Sequence, residues 1–343
     1  MSLAVKTSLA PMEAASVEEI PTGGGWQYEP KWDGFRCLVF RDGENVELRS
    51  KAGQPLGRYF PEIVAAAQQL RAARYVLDGE LVIARGGTLS FDELLQRIHP
   101  AASRVTKLSR ETPAWLVAFD LLADERGHSL VSQPLRERRK ALDAFARRFF
   151  PPDGALRLSP ATVDLKVARK WFGSVGTSLD GLIAKRVDAP YAAGERTAMV
   201  KIKPERTADC VVGGFRYAAK KKEVGSLLLG LYDDDGRLHH VGFCSGLKAA
   251  EKPALTKKLE AAIGGPGFTG RAPGGPSRWS TARSAEWQPL APELVVEVAF
   301  DHVTGERFRH GTRLVRWRPD KAPRQCTMDQ LRQKASRVLA WLK

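Results

Sequence analysis

Acidic side chains are in short supply in this chain: 39 Asp and Glu stand against 54 Lys and Arg, a formal charge of +15 with a pI near 9.8. A deficit of that size argues against cationic partners and for a large polyanion. Cysteine is scarce as well, with four residues at positions 37, 210, 244 and 326 and no Cys-x-x-Cys or Cys/His spacing suited to zinc. That excludes a disulfide scaffold and a structural zinc site, and it reads as reduced thiols in a cytoplasmic protein. No apolar run approaches the roughly 20 residues that span a bilayer, and the segment before Glu19 has no signal-peptide core. Neither internal repeats nor low-complexity tracts are present, which excludes solenoids.

What is there is enough apolar material, 43% of 343 residues, to fill real cores. At roughly 150 residues per domain the length predicts about two domains. Residues 1 to 24 are small and polar, end in Gly23-Gly24-Gly25, and read as a loose lead-in. Two β-like runs, 36–40 and 45–49, flank Asp42-Gly43 as a hairpin. Helices are predicted from Pro61, over Ser90 to Ile98, over Leu135 to Phe150 and over Lys166 to Phe172, with a polar connection before the apolar strand Ala114 to Leu122. In Ala198 to Pro204, Lys201 and Lys203 fall on one face of a strand, where they repel unless an anion lies between them. Pro204 breaks the ladder and sets the boundary between domains 1–204 and 205–343. Beyond it, short strands at 210–215, 227–232, 240–244 and 294–300, with a helix near 249–263 and a Gly/Pro-rich loop over 264–276, fit a five-stranded OB-fold barrel. Thr327 to Gln330 is a capping-box pattern that opens a docking helix with Leu331, Val338 and Leu342 on one face.

The stretch Glu29-Pro30-Lys31-Trp32-Asp33-Gly34-Phe35-Arg36 fixes Lys-x-Asp-Gly-x-Arg. Asp-Gly pairs usually mark turns, and the chain has six of them, so the motif is weak alone. Its sequels are Asp78-Gly79-Glu80, Phe119-Asp120, Asp180-Gly181-Leu182-Ile183-Ala184-Lys185, Lys201-Ile202-Lys203 and Arg316-Trp317-Arg318-Pro319-Asp320-Lys321. In that order they resemble the covalent nucleotidyltransferase superfamily of ATP-dependent DNA ligases, RNA ligases and mRNA capping enzymes. Glu29, the Arg49-Ser50-Lys51-Ala52-Gly53 run and the Asp-Gly-Leu-Ile-Ala-Lys run narrow the likeness to ATP-dependent DNA ligases, in particular the compact two-domain bacterial type called ligase C.

The resemblance implies an α+β fold: a nucleotidyltransferase domain of ATP-grasp-like antiparallel sheets with helices, then a C-terminal OB-fold β-barrel domain. It implies ATP and magnesium or manganese as cofactors. Lys31 would attack the α-phosphate to give lysyl-AMP, AMP would pass to the 5′-phosphate of a nick, and the 3′-hydroxyl would displace it. Lysine suits that role because it can lose its proton, whereas arginine cannot. Glu29 would read the adenine, Phe119 stack on it, and Arg36 and Glu80 contact the ribose, although Phe119 also reads as plain core. Glu80 and Asp180 would hold the metal; the family more often has Glu at the second, so the shorter arm needs a closer ion or a bridging water. Lys201 and Lys203 would grip the AMP phosphate, Arg49, Lys185 and Arg196 are carried over as further nucleotide-binding residues, and Arg318, Asp320 and Lys321 would orient the pyrophosphate from the second domain. Arg49, Lys51, Arg216, Lys220, Lys221 and Lys222 would meet DNA phosphates. The expected partner is nicked double-stranded DNA, bound by a monomer in the bacterial cytoplasm at the nucleoid, in repair beside primase-polymerases. An RNA-joining or capping enzyme and a non-catalytic nucleic-acid-binding module are the competing readings.

Overall fold

The computed structural model describes residues 3–175, 179–219, 221–274, 286–332 and 337–342. Its contacts divide the chain into two compact units, Met1–Pro204 with Gln333–Lys343, and Glu205–Arg332.

The first unit carries β1 (Ala15–Val17), β2 (Trp26–Trp32), β3 (Phe35–Asp42), β4 (Asn45–Ser50), β5 (Arg74–Arg85), β6 (Thr88–Leu89), β7 (Ala114–Ala123), β8 (Leu156–Leu158), β9 (Leu179–Arg186) and β10 (Met199–Ile202). They form two sheets, one ordered β1-β10-β9-β2 and one ordered β4-β3-β5-β7-β8 with β6 off β5. Period-two alternation decides which side chains go where. On β5, Tyr75, Leu77, Leu81 and Ile83 join Cys37 and Val39 of β3 in a core closed by α1 (Pro61–Gln69), α2 (Phe91–Arg97) and α4 (Leu135–Phe149), with α3 (Ala102–Glu111) beside α1. Buried Phe145, Leu142 and Ile63 contribute most from the helices, each worth about 1.5–3 kcal/mol on full burial. The intervening residues Arg36, Asp78, Glu80 and Phe119 are thereby turned to the opposite face.

The four-stranded sheet repeats the device. Tyr28, Leu182, Ala184 and Ile202 pack on Ala168 and Trp171 of α5 (Leu165–Gly173). Their neighbours Glu29, Lys31, Ile183, Lys185 and Met199 are left for the other face, where they line one cleft together with Arg36, Glu80 and Phe119.

The second unit holds β11 (Arg206–Ala218), β12 (Lys221–Tyr232), β13 (Leu238–Cys244), α6 (Lys252–Glu260), β14 (Gln288–Pro289), β15 (Val295–Phe300), β16 (Val303–Thr304), β17 (Arg307–Phe308) and β18 (Arg313–Trp317). Its main sheet runs β13-β12-β11-β15-β18, with β14 beside β11, and all its pairings are antiparallel. Phe215, Leu227, Leu229, Val241 and Val296 fill its core.

Three expectations need correction. The lead-in is not loose: Val5 and Met12 are buried, and β1 pairs in parallel with β10. The connection before β7 contains α3, whose buried Val105 and half-buried Leu108 dock a helix that is otherwise mostly exposed and polar. The C-terminal helix is instead two short 3-10 stretches, Met328–Leu331 and Arg337–Leu342, and the second belongs to the first unit, so the boundary 205–343 overruns. There Leu342 packs with Trp32, and the Trp341 ring lies 5.8 Å from that of Trp171, an apolar surface that decides the docking over helical period. The Val338 side chain and positions 275 and 276 of the Gly/Pro-rich loop lie outside the described residues.

Candidate active site

Lys31 sits on β2 opposite Gly181 of β9. Its ammonium pairs with Asp180, whose other oxygen lies 2.9 Å from Lys203 Nζ. One carboxylate thus separates two lysines, one on β2 and one just past the end of β10. Gly181 makes the approach possible: its φ is +151°, and a Cβ there would sit 2.1 Å from the Ile202 carbonyl oxygen. Gly34 is required for the same reason, since its Cβ would meet the Leu81 carbonyl oxygen at 2.1 Å. These two Asp-Gly pairs are sites of close backbone approach, unlike the turn at Asp42-Gly43.

Above Lys31 the two sheets leave a cleft of about 400 Å³, lined by Glu29, Lys31, Arg36, Glu80, Phe119, Ile183, Lys185 and Met199 among others. Phe119 presents a ring at 8% exposure, with the Arg36 guanidinium and the Lys185 ammonium each 4.6 Å from its centroid. It belongs to the core and the cleft wall at once. Glu29 is fully enclosed, 2.8 Å from Lys185 Nζ, and accepts from Gln27 Nε2 at 2.8 Å. A buried carboxylate in such a pair is held in one orientation, because leaving either charge unpaired is costly. Burial raises the Glu80 carboxyl to about 7 against the pull of Lys31 and Arg36.

Arg36 donates to both oxygens of the buried Asp78 at 2.5 Å, and Asp78 also accepts from the Tyr191 hydroxyl at 2.6 Å. The Tyr191 oxygen in turn accepts from the Met12 N–H at 3.0 Å. Asp78 and Tyr191 are supporting residues that the sequence reading assigned no role. Asp78 was visible as the acid of Asp78-Gly79-Glu80, whereas nothing local marked Tyr191.

A second opening, of about 800 Å³, shares Lys31 and Arg36 with the first and adds Glu13, Lys51, Arg196 and Lys201. The Lys201 ammonium is held below the ordinary lysine value, by burial first and then by Lys203 and Lys31. The repulsion expected between Lys201 and Lys203 is therefore present, and Asp180 offsets it on the Lys203 side.

Other expected residues fall elsewhere. Arg49 is turned to Glu47 and the Gly53 carbonyl at the surface and lines neither opening. In the second unit Arg318 pairs with Asp209 and Asp320, and Lys321 lies 3.6 Å from Asp209. Arg216 is on β11; Lys221 and Lys222 begin β12, Lys222 being 3.9 Å from Glu260. Lys220 lies outside the described residues.

The profile of the "ATP dependent DNA ligase domain" matches residues 9–203, and that of the "ATP dependent DNA ligase C terminal region" matches residues 220–321. DNA ligase C2 of Mycolicibacterium smegmatis is 44% identical over 96% of both chains. The multifunctional non-homologous end joining DNA repair protein LigD of Mycobacterium tuberculosis is 32% identical over 87% of this chain and 37% of its own length. A solved structure of a Lig E DNA ligase superposes with a TM-score of 0.54 at 18% identity, covering 90% of this chain and 99% of that one, a likeness of fold. The chain belongs to the ATP-dependent DNA ligase family, and its likeness runs to the compact bacterial ligase C type.

Proposed function

We propose that the protein seals 5′-phosphate/3′-hydroxyl nicks in duplex DNA, with Lys31 taking AMP from ATP and passing it to the 5′-phosphate. The observation that carries this reading is Lys31 on the floor of a cleft walled by Glu29, Phe119 and Lys185, with Asp180 and Lys203 beside its amine. The apolar and carboxylate wall suits a purine, with the Glu29 oxygens as acceptors for an amino group, and the lysines suit the phosphate. Arg36 and Glu80 line the same cleft and would contact the ribose.

Among the described residues no group of three or more His, Cys, Asp and Glu could hold a metal by itself. A sparse donor set fits magnesium, which binds through one or two carboxylates plus substrate phosphates. Asp180 and Glu80 would hold it, and when bound it would neutralise charge on the phosphate oxygens. Lys31 must shed its proton before it attacks, and its ammonium is engaged by Asp180. Engaging Asp180 elsewhere would free the amine.

The likeness to an end-joining repair protein supports repair as the source of the nicks. Intact mass tests the chemistry: incubation with ATP and magnesium adds one AMP to the wild type and none to Lys31→Ala. An adduct on the variant would remove Lys31 from the mechanism. Joining of nicked RNA in preference to nicked DNA would move the substrate to RNA.

A further inference from the structure

The larger opening is lined by five cations, Lys31, Arg36, Lys51, Arg196 and Lys201, and by one carboxylate, Glu13. Glu13 Oε2 accepts from Arg196 Nε at 3.0 Å and lies 2.9 Å from its Nη2, while Oε1 lies 3.2 Å from Lys51 Nζ. Each oxygen serves a different cation, one from the segment after β4 and one from the segment after β9. A phosphate would bridge the same two groups in the same way.

The Glu13 backbone is tied down. Its N–H donates to the Glu195 carbonyl at 2.9 Å, Met12 forms a bridge with Ala193, and Ala15 starts β1 on β10. Met12 also reaches Arg36 through its carbonyl, which accepts from Nη2 at 3.4 Å. The side chains are another matter: Lys51 is 60% and Arg196 68% exposed, so ion pairs with them add little to the stability of the fold. Stability does not account for a carboxylate in a cleft whose other charged residues are all cations.

We propose that Glu13 is an internal stand-in for the nick phosphate, holding Lys51 and Arg196 in place and surrendering them to the terminal 5′-phosphate when DNA binds. This rests on the reading that nicked DNA is the substrate. The carboxylate carries one negative charge, whereas a terminal phosphate carries close to two at neutral pH, so the substrate displaces it where weaker anions do not. Glu13 is thus a specificity-determining residue that lowers occupancy of the clamp by every anion and sets a threshold that the 5′-phosphate clears.

The test is binding of nicked duplexes by the full chain, free of AMP by intact mass, without ATP or metal. One duplex carries a 5′-phosphate at the nick and the other a 5′-hydroxyl. Glu13→Gln should tighten the 5′-phosphate duplex about five- to tenfold, the effect of removing one nearby competing charge, and the 5′-hydroxyl duplex less than about twofold. The difference should vanish when Arg196→Gln is added, because the clamp is then broken on both sides of the comparison. Equal tightening of both duplexes, weakening of either, or a gain that survives Arg196→Gln would overturn the role of Glu13. Failure of the wild-type chain to bind any nicked duplex would count instead against the function proposed above.

Discussion

Lys31 is a nucleophile only as a neutral amine, and the carboxylate beside it is also what links it to Lys203. Asp180→Asn removes that link and, on the function proposed above, a residue that would hold the metal, so lysyl-AMP formation should fall about a hundredfold, read from single-turnover labelling with α-labelled ATP. Gly181→Ala acts on the backbone instead. It forces a side chain into a φ of +151° and against the Ile202 carbonyl, and should cost about 2–4 kcal/mol, read from chemical denaturation. Glu80 gives a pH test. Its carboxyl titrates at about 7 in the folded protein, well above an ordinary glutamate, so the folded state binds that proton more tightly than the unfolded one. Its contribution to stability is whole below about pH 4.3 and is lost as pH rises through about 7. The ionised form accepts hydroxyls more strongly than the neutral acid and is the form that holds a cation, so lysyl-AMP formation should rise between pH 6 and 8, and Glu80→Gln should flatten that rise.

At the scale of elements, strands that alternate were legible and strands that borrow their partner were not. The buried run of β7 and the hairpin at Asp42-Gly43 follow from apolar patterning and turn chemistry, whereas Lys203, expected beside Lys201 on a strand, lies just past the end of β10. β1 has three residues, none of them in a pattern, and exists because β10 lies alongside it, some 185 positions later. Glu13 was missed for the same reason: its partners Lys51 and Arg196 come from distant segments, and the acid alone looks like any surface charge. The terminal 3-10 stretch shows the converse, a helical pattern overruled by the apolar surface around Trp32 and Trp171. If the lead-in is structural, Met12→Ala should destabilise the first unit by about 2–4 kcal/mol, since its side chain is 3% exposed in a core with Leu38, Phe40 and Tyr191. Leu342→Ala should cost a similar amount. A change below about 0.5 kcal/mol in either, measured by urea titration, would show that the terminal segments do not hold to the sheets as described.

For the whole molecule, the charge balance and the change of pattern at Pro204 carried most of what the sequence could say. Both are sums over many residues and need no knowledge of contacts. The clamps and ion pairs were out of reach because pairing depends on which strands meet. The same contrast sets the final test. Lysines and arginines exceed acids by 15 across the chain, yet many of the described cations are already engaged, Arg318 by Asp209 and Asp320, Arg138 by the buried Asp120, Lys185 by Glu29. Cations spent inside the fold release no counterions when DNA binds. The cations left for DNA are fewer; among the described residues Lys201, Lys221 and Lys222 are exposed or half-buried, Lys222 with only a 3.9 Å contact to Glu260, and Lys51 joins them when Glu13 lets it go. Each phosphate contact contributes about 0.9 to the slope of log affinity against log salt, so four to six contacts predict a slope of about −4 to −5. Nicked-duplex affinity should then fall more than about a hundredfold between 50 and 200 mM salt. Lys221→Ala with Lys222→Ala should reduce the slope by about 2 without changing lysyl-AMP formation, because these lysines touch neither opening around Lys31. A slope near zero in the wild type would mean that the excess charge serves something other than the duplex, and an unchanged slope in the double variant would take the start of β12 off the DNA.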